Sequence, residues 1–237
     1  MPNRRRQSGF TLVEMAIVLV IIGLLLGGIL KGQELITSAR VRNIADQNSG
    51  VQAAYYGFID RYRQVPGDWG QANAVRAIPG VISGGNANGR LDQHEGSHYT
   101  EALALWEHLS KSRFIQGNFE GGTSEPSQDD TDKAPRNAFN GFLMLYRSSD
   151  YLELGGGTPP EHLNLVLGAG IPVNVLAELD RKIDDGLPQS GVLRHAVTSG
   201  GVFGSISNSS ADCVADGNPP FWDIAANQQL CNAVYLY

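Results

Sequence analysis

The feature that most limits what this chain can fold into is an apolar segment close to its start. Between residues 10 and 30, 16 of the 21 residues are apolar, and the exceptions are Thr11, Glu14, Gly23, Gly27 and Gly28. A helix of this length crosses the hydrocarbon core of a bilayer. The sequence therefore predicts a membrane-spanning helix over residues 10–30.

The charges beside this segment predict its orientation. Arg4, Arg5 and Arg6 precede it, and no comparable basic cluster follows it directly. Basic residues near a span stay on the cytoplasmic side of the membrane. We therefore expect the amino terminus in the cytoplasm and the bulk of the chain on the other side.

Composition limits the kind of fold and the kind of partner that we expect for this chain. An apolar content of 42% in 237 residues is that of an ordinary globular protein with a core. A net charge of -6 argues against a nucleic-acid partner held by bulk charge. The two cysteines, Cys213 and Cys231, have no metal-ligand spacing, and in the oxidising compartment outside the cytoplasm we expect them to form a disulfide.

The order of the first residues differs from that of an ordinary secretory signal, in which the cleavage site follows the apolar run. Here a short basic leader ends in Gly9, and the apolar run begins immediately after it. The stretch Arg4-Arg5-Arg6-Gln7-Ser8-Gly9-Phe10-Thr11-Leu12-Val13-Glu14 resembles the cleavage and methylation motif of type IV prepilins and type II secretion pseudopilins. The resemblance implies a leader peptide over residues 1–9, cleavage between Gly9 and Phe10 by prepilin peptidase, and N-methylation of Phe10.

Glu14 is the assembly residue that the resemblance implies, and its position is unusual on physical grounds as well. A carboxylate placed in lipid costs several kcal/mol and calls for a partner. After cleavage, the amine of Phe10 in an adjacent subunit would neutralise the charge. The alternative is that Glu14 snorkels to the interface, which leaves the glycine-phenylalanine junction unexplained.

An apolar face continues beyond the span. Alternating three- and four-residue steps predict an amphipathic helix over residues 35–63, continuous with the span, with Pro66-Gly67 ending it. The members of this face are Val41, Ile44, Val51, Tyr55, Phe58 and Tyr62, with Asn48 as its polar interruption. We therefore assign residues 31–65 to the amphipathic half of one long helix.

The remaining residues, 66–237, are predicted to form one periplasmic or extracellular globular domain. Helices are expected at 71–77, 99–113 and 173–183, and short apolar runs suited to strands occur at 141–147, 151–154, 163–167, 192–197 and 202–206. This order predicts an α+β fold in which the long N-terminal helix packs on a C-terminal antiparallel sheet. The resemblance to pilins implies the same layout. Three further stretches resemble a recurrent group of pilin-like proteins: Val65 to Asp68, Leu105 to Ser110, and Lys182 to Gly191.

One loop has the spacing of a calcium site. Counted from Gly84, the loop places oxygen-bearing side chains at the third, fifth, ninth and twelfth positions and a glycine at the sixth. These side chains are Asn86, Asn88, Asp92 and Glu95. Gly84 stands where an aspartate is expected, so two interpretations stay open: a weak calcium site, or an Asn/Gly-rich surface turn.

Three other patterns resemble metal or nucleotide sites, but a structural role explains each of them better. His94, Glu95 and His98 match the zinc metalloprotease motif by letter, but that motif needs both histidines within one helix, and a Gly-Ser pair separates them. Asp180, Asp184 and Asp185 form a second candidate oxygen cluster for a cation, and a solvated helix end is the favoured interpretation. Gly168-Ala169-Gly170 resembles half of a dinucleotide fingerprint, with Val173 in place of its last glycine, and predicts a strand-to-helix turn.

No catalytic constellation emerges, so the sequence predicts a structural protein and not an enzyme. We expect a minor pilin of a type IV pilus-type filament, with other pilin subunits, prepilin peptidase and the inner-membrane assembly platform as partners. Its location would be the inner membrane first and the filament afterwards. The alternatives are a pseudopilin of a type II secretion system, or an enzyme or calcium-dependent adhesin anchored in the membrane by the same helix.

Overall fold

A computed structural model of the chain describes residues 12–237. Helix α1 (Leu12–Tyr62) is 51 residues long, and the boundary between two compact units falls within it, between Ala39 and Arg40. Before that boundary its side chains are exposed or half-buried, and the helix is long and apolar enough to cross a membrane. After it, one face of α1 enters a core through Val41, Ile44, Asn48, Val51, Ala54, Tyr55 and Phe58.

Three more helices belong to the second unit: α2 (Gln71–Ala77), α3 (Tyr99–Lys111) and α4 (Val173–Ile183). Every residue of α3 from Thr100 to Ser110 is buried, so α3 is surrounded by other elements instead of lying on the surface. Its largest side chain, Trp106, is fully buried. A helix buried on all sides must satisfy its polar side chains within the protein.

The strands form two antiparallel sheets. They are β1 (Met144–Ser148), β2 (His162–Val166), β3 (Leu193–His195), β4 (Val214–Ala215), β5 (Phe221–Trp222) and β6 (Ala233–Leu236). The main sheet has the order β1-β2-β6-β3, and β4 pairs with β5 alone. Met144 faces Val166 in the first pair of strands, and Leu165 faces Tyr235 in the second. The last strand in sequence therefore lies inside the main sheet.

The observed elements confirm the α+β layout and correct some of its details. The run at 202–206 forms a 3₁₀ turn (Gly204–Ile206) and not a strand. The run at 151–154 contributes a single bridge, from Tyr151 to Ala196. Helix α3 ends at Lys111, two residues before its predicted end.

The core of the second unit joins the helices to the sheet. Buried apolar residues of α1, α3, α4 and the main sheet belong to one hydrophobic cluster. At its edge, the hydroxyl of Tyr237 donates to Oδ1 of Asn48 at 3.0 Å, which explains why the polar interruption of the α1 face is tolerated inside. The long helix followed by an antiparallel sheet is a pilin-like arrangement.

Candidate functional site

The amino-terminal part of α1 presents a long apolar surface. Leu12 is 90% exposed and Leu24 is 73% exposed, and the large apolar side chains between Leu12 and Ile36 are all exposed. Glu14 lies in the first turn of this helix and is exposed as well. A surface of this kind is suited to contact with lipid or with other apolar helices. The predicted cleavage and methylation positions, Gly9 and Phe10, lie outside the described residues.

Buried acids of α3 organise the Gly- and Asn-rich loop before it. The carboxylate of Glu107 accepts the backbone N–H groups of Ile82 at 2.9 Å and Ser83 at 3.0 Å. The carboxylate of Glu101 accepts the N–H groups of Asn86 at 3.1 Å and Asp92 at 2.9 Å. The loop forms no helix or strand that would bond these backbone N–H groups, and the two carboxylates accept them instead. Helix α3 therefore determines the course of the loop.

His108 joins two of the stretches that the sequence singled out. The N–H of Gly67 donates to Nδ1 of His108 at 3.0 Å, so the ring proton sits on Nε2, which faces the carbonyl of Ser83 at 3.1 Å. Burial lowers the pKa of His108 and keeps the ring neutral. The hydrogen bond between Gly67 and His108 therefore joins the Val65 to Asp68 stretch to the Leu105 to Ser110 stretch.

The structure brings three of the four predicted calcium residues together. Asn88 Nδ2 donates to Asp92 Oδ2 at 2.9 Å, and Asn86 Nδ2 lies 3.5 Å from Asp92 Oδ1. Asp68, which is not one of the four predicted residues, is buried, and its carboxylate accepts the N–H groups of Asn88 at 2.9 Å and of Gly89 at 2.7 Å. The two amides therefore direct donors, and not oxygens, at the Asp92 carboxylate.

The fourth residue, Glu95, has a different neighbour. Its Oε1 lies 3.9 Å from Nε2 of His94, and these two residues line a cavity of about 370 Å³. Asp92 instead lines a separate cavity of about 310 Å³. The calcium site stays a prediction that the arrangement of side chains does not test.

The two histidines of the protease-like pattern do not share a helix. Helix α3 begins at Tyr99, after both of them. His94 forms a backbone bridge with Ser97, and Nδ1 of His98 lies 2.7 Å from the hydroxyl of Tyr146. The side chain of His98 is therefore bonded to Tyr146, whereas Nε2 of His94 lies 3.9 Å from Oε1 of Glu95.

The three aspartates at the end of α4 form a tight cluster, with carboxylate oxygens within 4.8 Å of one another. Asp180 is fully buried, so its interpretation as part of a solvated helix end is wrong. Burial raises the pKa of its carboxyl to about 6, although Trp222 Nε1 donates to it at 2.7 Å. Asp184 accepts the N–H of Leu193 at 2.8 Å, and Asp185 accepts the hydroxyl of Ser190 at 2.6 Å. Hydrogen bonds of these aspartates therefore hold the Lys182 to Gly191 stretch, which connects α4 to β3, in place.

The predicted disulfide is present. Cys213 and Cys231, 18 residues apart, are bonded to each other and fully buried. The bridge encloses β4, β5 and a 3₁₀ turn (Ile224–Ala226) in a loop for which the sequence carries little strand signal. By the chain-entropy argument, closing a loop of this size stabilises the fold by about 3 kcal/mol.

Sequence reasoning missed the polar groups that hold this domain together, namely Asp68, Glu101 and Glu107. A faint signal existed, because Glu101 and Glu107 flank the apolar run Ala102 to Trp106 within α3. Their partners are backbone N–H groups of a loop, and a sequence does not show which loop reaches a given side chain.

Comparison with known families gives one match, to the prokaryotic N-terminal methylation motif, over residues 4–30. Comparisons with curated proteins and with solved structures gave no match. The matched residues include the basic leader, the Gly9-Phe10 junction, Glu14 and the apolar start of α1. The motif implies a precursor that a prepilin peptidase processes and that assembles with other pilin subunits. The chain carries, at its amino terminus, the signal of the type IV pilin class.

Proposed function

We propose that this protein is a structural subunit, specifically a minor pilin, of a type IV pilus-type filament. The observation that carries the proposal is the combination of the methylation motif with a helix whose apolar first part is exposed. A single anchored copy would need only a membrane span. The long helix beyond the span, with a folded α+β domain on it, suits a subunit whose helices pack together in a filament core.

The proposal includes a processing route. Prepilin peptidase cuts between Gly9 and Phe10 on the cytoplasmic face and methylates the new amino terminus at Phe10. The processed subunit stays in the inner membrane with its globular domain in the periplasm until the assembly platform adds it to the filament. The apolar helix and the motif fit membrane anchoring.

A pseudopilin of a type II secretion system is the alternative within the same class, because it uses the same processing and the same helix. The two differ in where the assembled subunit is found. A minor pilin reaches surface filaments that shearing releases, whereas a pseudopilin stays in the cell envelope.

Processing is tested by intact-mass analysis of the membrane-extracted protein. We expect a chain that lacks its first nine residues and carries one methyl group on Phe10. Gly9→Val should leave the leader in place, while Gly23→Ala, within the same helix and with open space around its Cβ position, should be processed as the wild type is. An uncut wild-type chain would refute the processing route.

Fractionation then separates the two alternatives. Wild-type protein in sheared surface filaments supports the minor pilin. Processed protein that is confined to the cell envelope, in cells that carry filaments, supports the pseudopilin.

A further inference from the structure

A cavity of about 310 Å³ lies in the unit formed by residues 40–237, beside β1 and the start of α3. The charged side chains that line it are Asp92, Arg147, Asp150 and Glu161. Three of them are acids and one is a base, so the walls carry a net charge of -2 when His98, which also lines the cavity, is neutral. A cavity of this size accepts a small ligand, and its charge favours a cation.

Asp150 is the most deeply buried of these acids, with 7% of its surface exposed. Its Oδ2 accepts the N–H of Val202 at 2.6 Å, whereas its Oδ1 has no donor among the described residues. Oδ1 is not among the sealed polar atoms of the described chain, so it opens onto the cavity that Asp150 lines. Burial raises the pKa of Asp150, as expected for a carboxyl that has no counter-ion.

The neighbouring charges do not supply that counter-ion. Burial, and after it the charges of acids that include Asp92, Glu161 and Asp150, raise the pKa of the Tyr146 hydroxyl, so these carboxylates lie around one side chain. Arg147 donates through Nη2 to the carbonyl of Glu161 at 3.2 Å, and its Nε lies 4.0 Å from Oε2 of Glu161. The base is therefore engaged at Glu161, and Asp92 and Asp150 form no ion pair among the described residues.

A single metal ion does not suit this arrangement. Within residues 12–237, only Asp180, Asp184 and Asp185 bring three possible metal ligands within 4.8 Å of one another. The acids of the cavity near Asp150 are therefore too far apart for three of them to bind one ion. A cation that fits has to be larger than a bare metal ion.

We propose that this cavity binds an alkylammonium group, that is, an –NH₃⁺ on a short aliphatic stem. The ammonium group donates to Oδ1 of Asp150 and is the counter-ion that this buried carboxylate lacks. Asp92 and Glu161 add attraction at longer range. The same chemical group occurs in free amines and in the lysine side chains of other proteins, and the site does not depend on the role of the chain in a filament.

The test uses the processed full-length chain, labelled with ¹⁵N at valine, in nanodiscs of zwitterionic lipid. At about 0.15 M salt, charges more than about 8 Å apart are screened, which suppresses binding to the net negative charge of the chain. The reporter is the amide signal of Val202, which bonds to Asp150 and is assigned by its loss in Val202→Ile. n-Butylamine, protonated at about pH 7, should shift this signal in a saturable way. It should bind at least about tenfold more tightly than 1-butanol, which has the same stem without the charge.

Two variants locate the charge that matters. Asp150→Asn keeps the shape of the side chain and an oxygen for the N–H of Val202, so it should weaken n-butylamine by about tenfold or more and leave 1-butanol unchanged. Asp216→Asn removes one charge at an exposed acid that does not line the cavity, and it should leave both affinities unchanged. The comparison of the two ligands on the wild type remains decisive if Asp150→Asn fails to fold.

A lysine peptide with both ends blocked separates the two sources of the ammonium group. Tighter binding of the peptide than of n-butylamine supports a lysine of another protein, and binding of n-butylamine alone supports a free amine. Three results would overturn the proposal: no saturable shift of the Val202 signal, equal affinities for n-butylamine and 1-butanol, or full affinity for n-butylamine in Asp150→Asn.

Discussion

Glu101 shows how a single buried acid is held in this domain. Both oxygens of its carboxylate accept backbone N–H groups, which favours the charged form. Burial disfavours the charged form more strongly, and it raises the pKa of Glu101 to about 7. The folded chain therefore binds a proton at this residue at a pH where an exposed glutamate has already lost it.

This shift predicts a pH dependence of stability. Because the folded-state pKa lies above the unfolded value, the contribution of Glu101 is fully present below pH 4.5 and is lost as pH rises through about 7. Glu101→Gln has no proton to lose, so between these values its free energy of unfolding should fall less steeply with pH than that of the wild type. Urea unfolding of both proteins at a series of pH values measures the difference. Glu95→Gln, at an exposed acid, serves as the control, and parallel curves for Glu101→Gln and the wild type would contradict the prediction.

Calcium binding at the loop that contains Asn86, Asn88, Asp92 and Glu95 is the second prediction at this scale. To bind a cation, Asn86 and Asn88 must turn their amide oxygens towards Asp92, where their Nδ2 groups now point. We expect a melting temperature that rises with calcium concentration in the millimolar range, typical of weak extracellular sites. Glu95→Gln should abolish the rise if Glu95 joins the other three residues. No rise with calcium would favour the surface-turn interpretation.

The loop before α3 is an element whose path depends on close approach to that helix. Gly67 has a φ of +90°, and a Cβ there would lie 2.4 Å from the carbonyl oxygen of Glu101. Gly89 has nearly the same φ, +86°, but open space where its Cβ would be. The two positions therefore separate the cost of a left-handed backbone from the cost of a steric clash.

We predict that Gly89→Ala lowers the free energy of unfolding by about 1 kcal/mol, which is the conformational cost alone. Gly67→Ala should lower it by about 3 kcal/mol or more, since the loop must also move away from α3 and lose the hydrogen bond to His108. Chemical denaturation of the two variants in parallel checks this. Equal losses of unfolding free energy in the two variants would mean that the loop can move at Gly67 and still keep its hydrogen bond to His108.

The sequence predicts the elements of this fold better than their arrangement. The long helix follows from an apolar span and an apolar face that continues beyond it with Asn48 as its polar interruption, and α2, α3 and α4 lie where their patterns place them. Strand β6 was missed because its four residues follow an Asn- and Gln-rich segment, although it pairs with both β2 and β3. Pairing between distant strands depends on tertiary contacts that a local pattern does not contain.

The same contrast holds for the sites. The disulfide was predictable because only two cysteines exist and the apolar segment indicates an oxidising compartment. The contacts of Glu101 and Glu107 were not, because their partners are backbone N–H groups of a loop that no side-chain pattern marks. The methylation motif is a contiguous stretch of sequence, and residues 4–30 alone are enough to recognise it.

At the scale of the whole molecule, α1 changes character along its length. Before Ala39 it exposes apolar side chains, and from Val41 it buries one face in its own domain. The exposed part leaves contacts for lipid and for other copies of the helix. A contact between different surfaces of identical subunits propagates as a helical filament when its rotation does not close into a ring.

Glu14→Ala tests what directs that propagation. The variant should be cleaved and methylated normally, because the proposed peptidase recognition depends chiefly on Gly9. In the assembling filament, the Glu14 carboxylate of one subunit is proposed to attract the Phe10 amine of the next. In the variant the Phe10 amine has no carboxylate to pair with, and an unpaired charge in the membrane is disfavoured. Alanine should therefore reduce incorporation by about tenfold or more. Fractionation should then show processed protein in the inner membrane and little in sheared filaments.

Glu34→Ala is the matched control for this experiment. Glu34 is an acid on the same helix that lies beyond the predicted span and pairs with Lys31 at 2.7 Å. Because an exposed ion pair of this kind contributes little, its loss should leave incorporation near the wild-type level. If both variants enter filaments as the wild type does, packing of the apolar helices alone determines docking, and the role assigned to Glu14 is wrong. If both fail equally, the defect follows from loss of any acid on the helix and not from the position of Glu14 within the membrane.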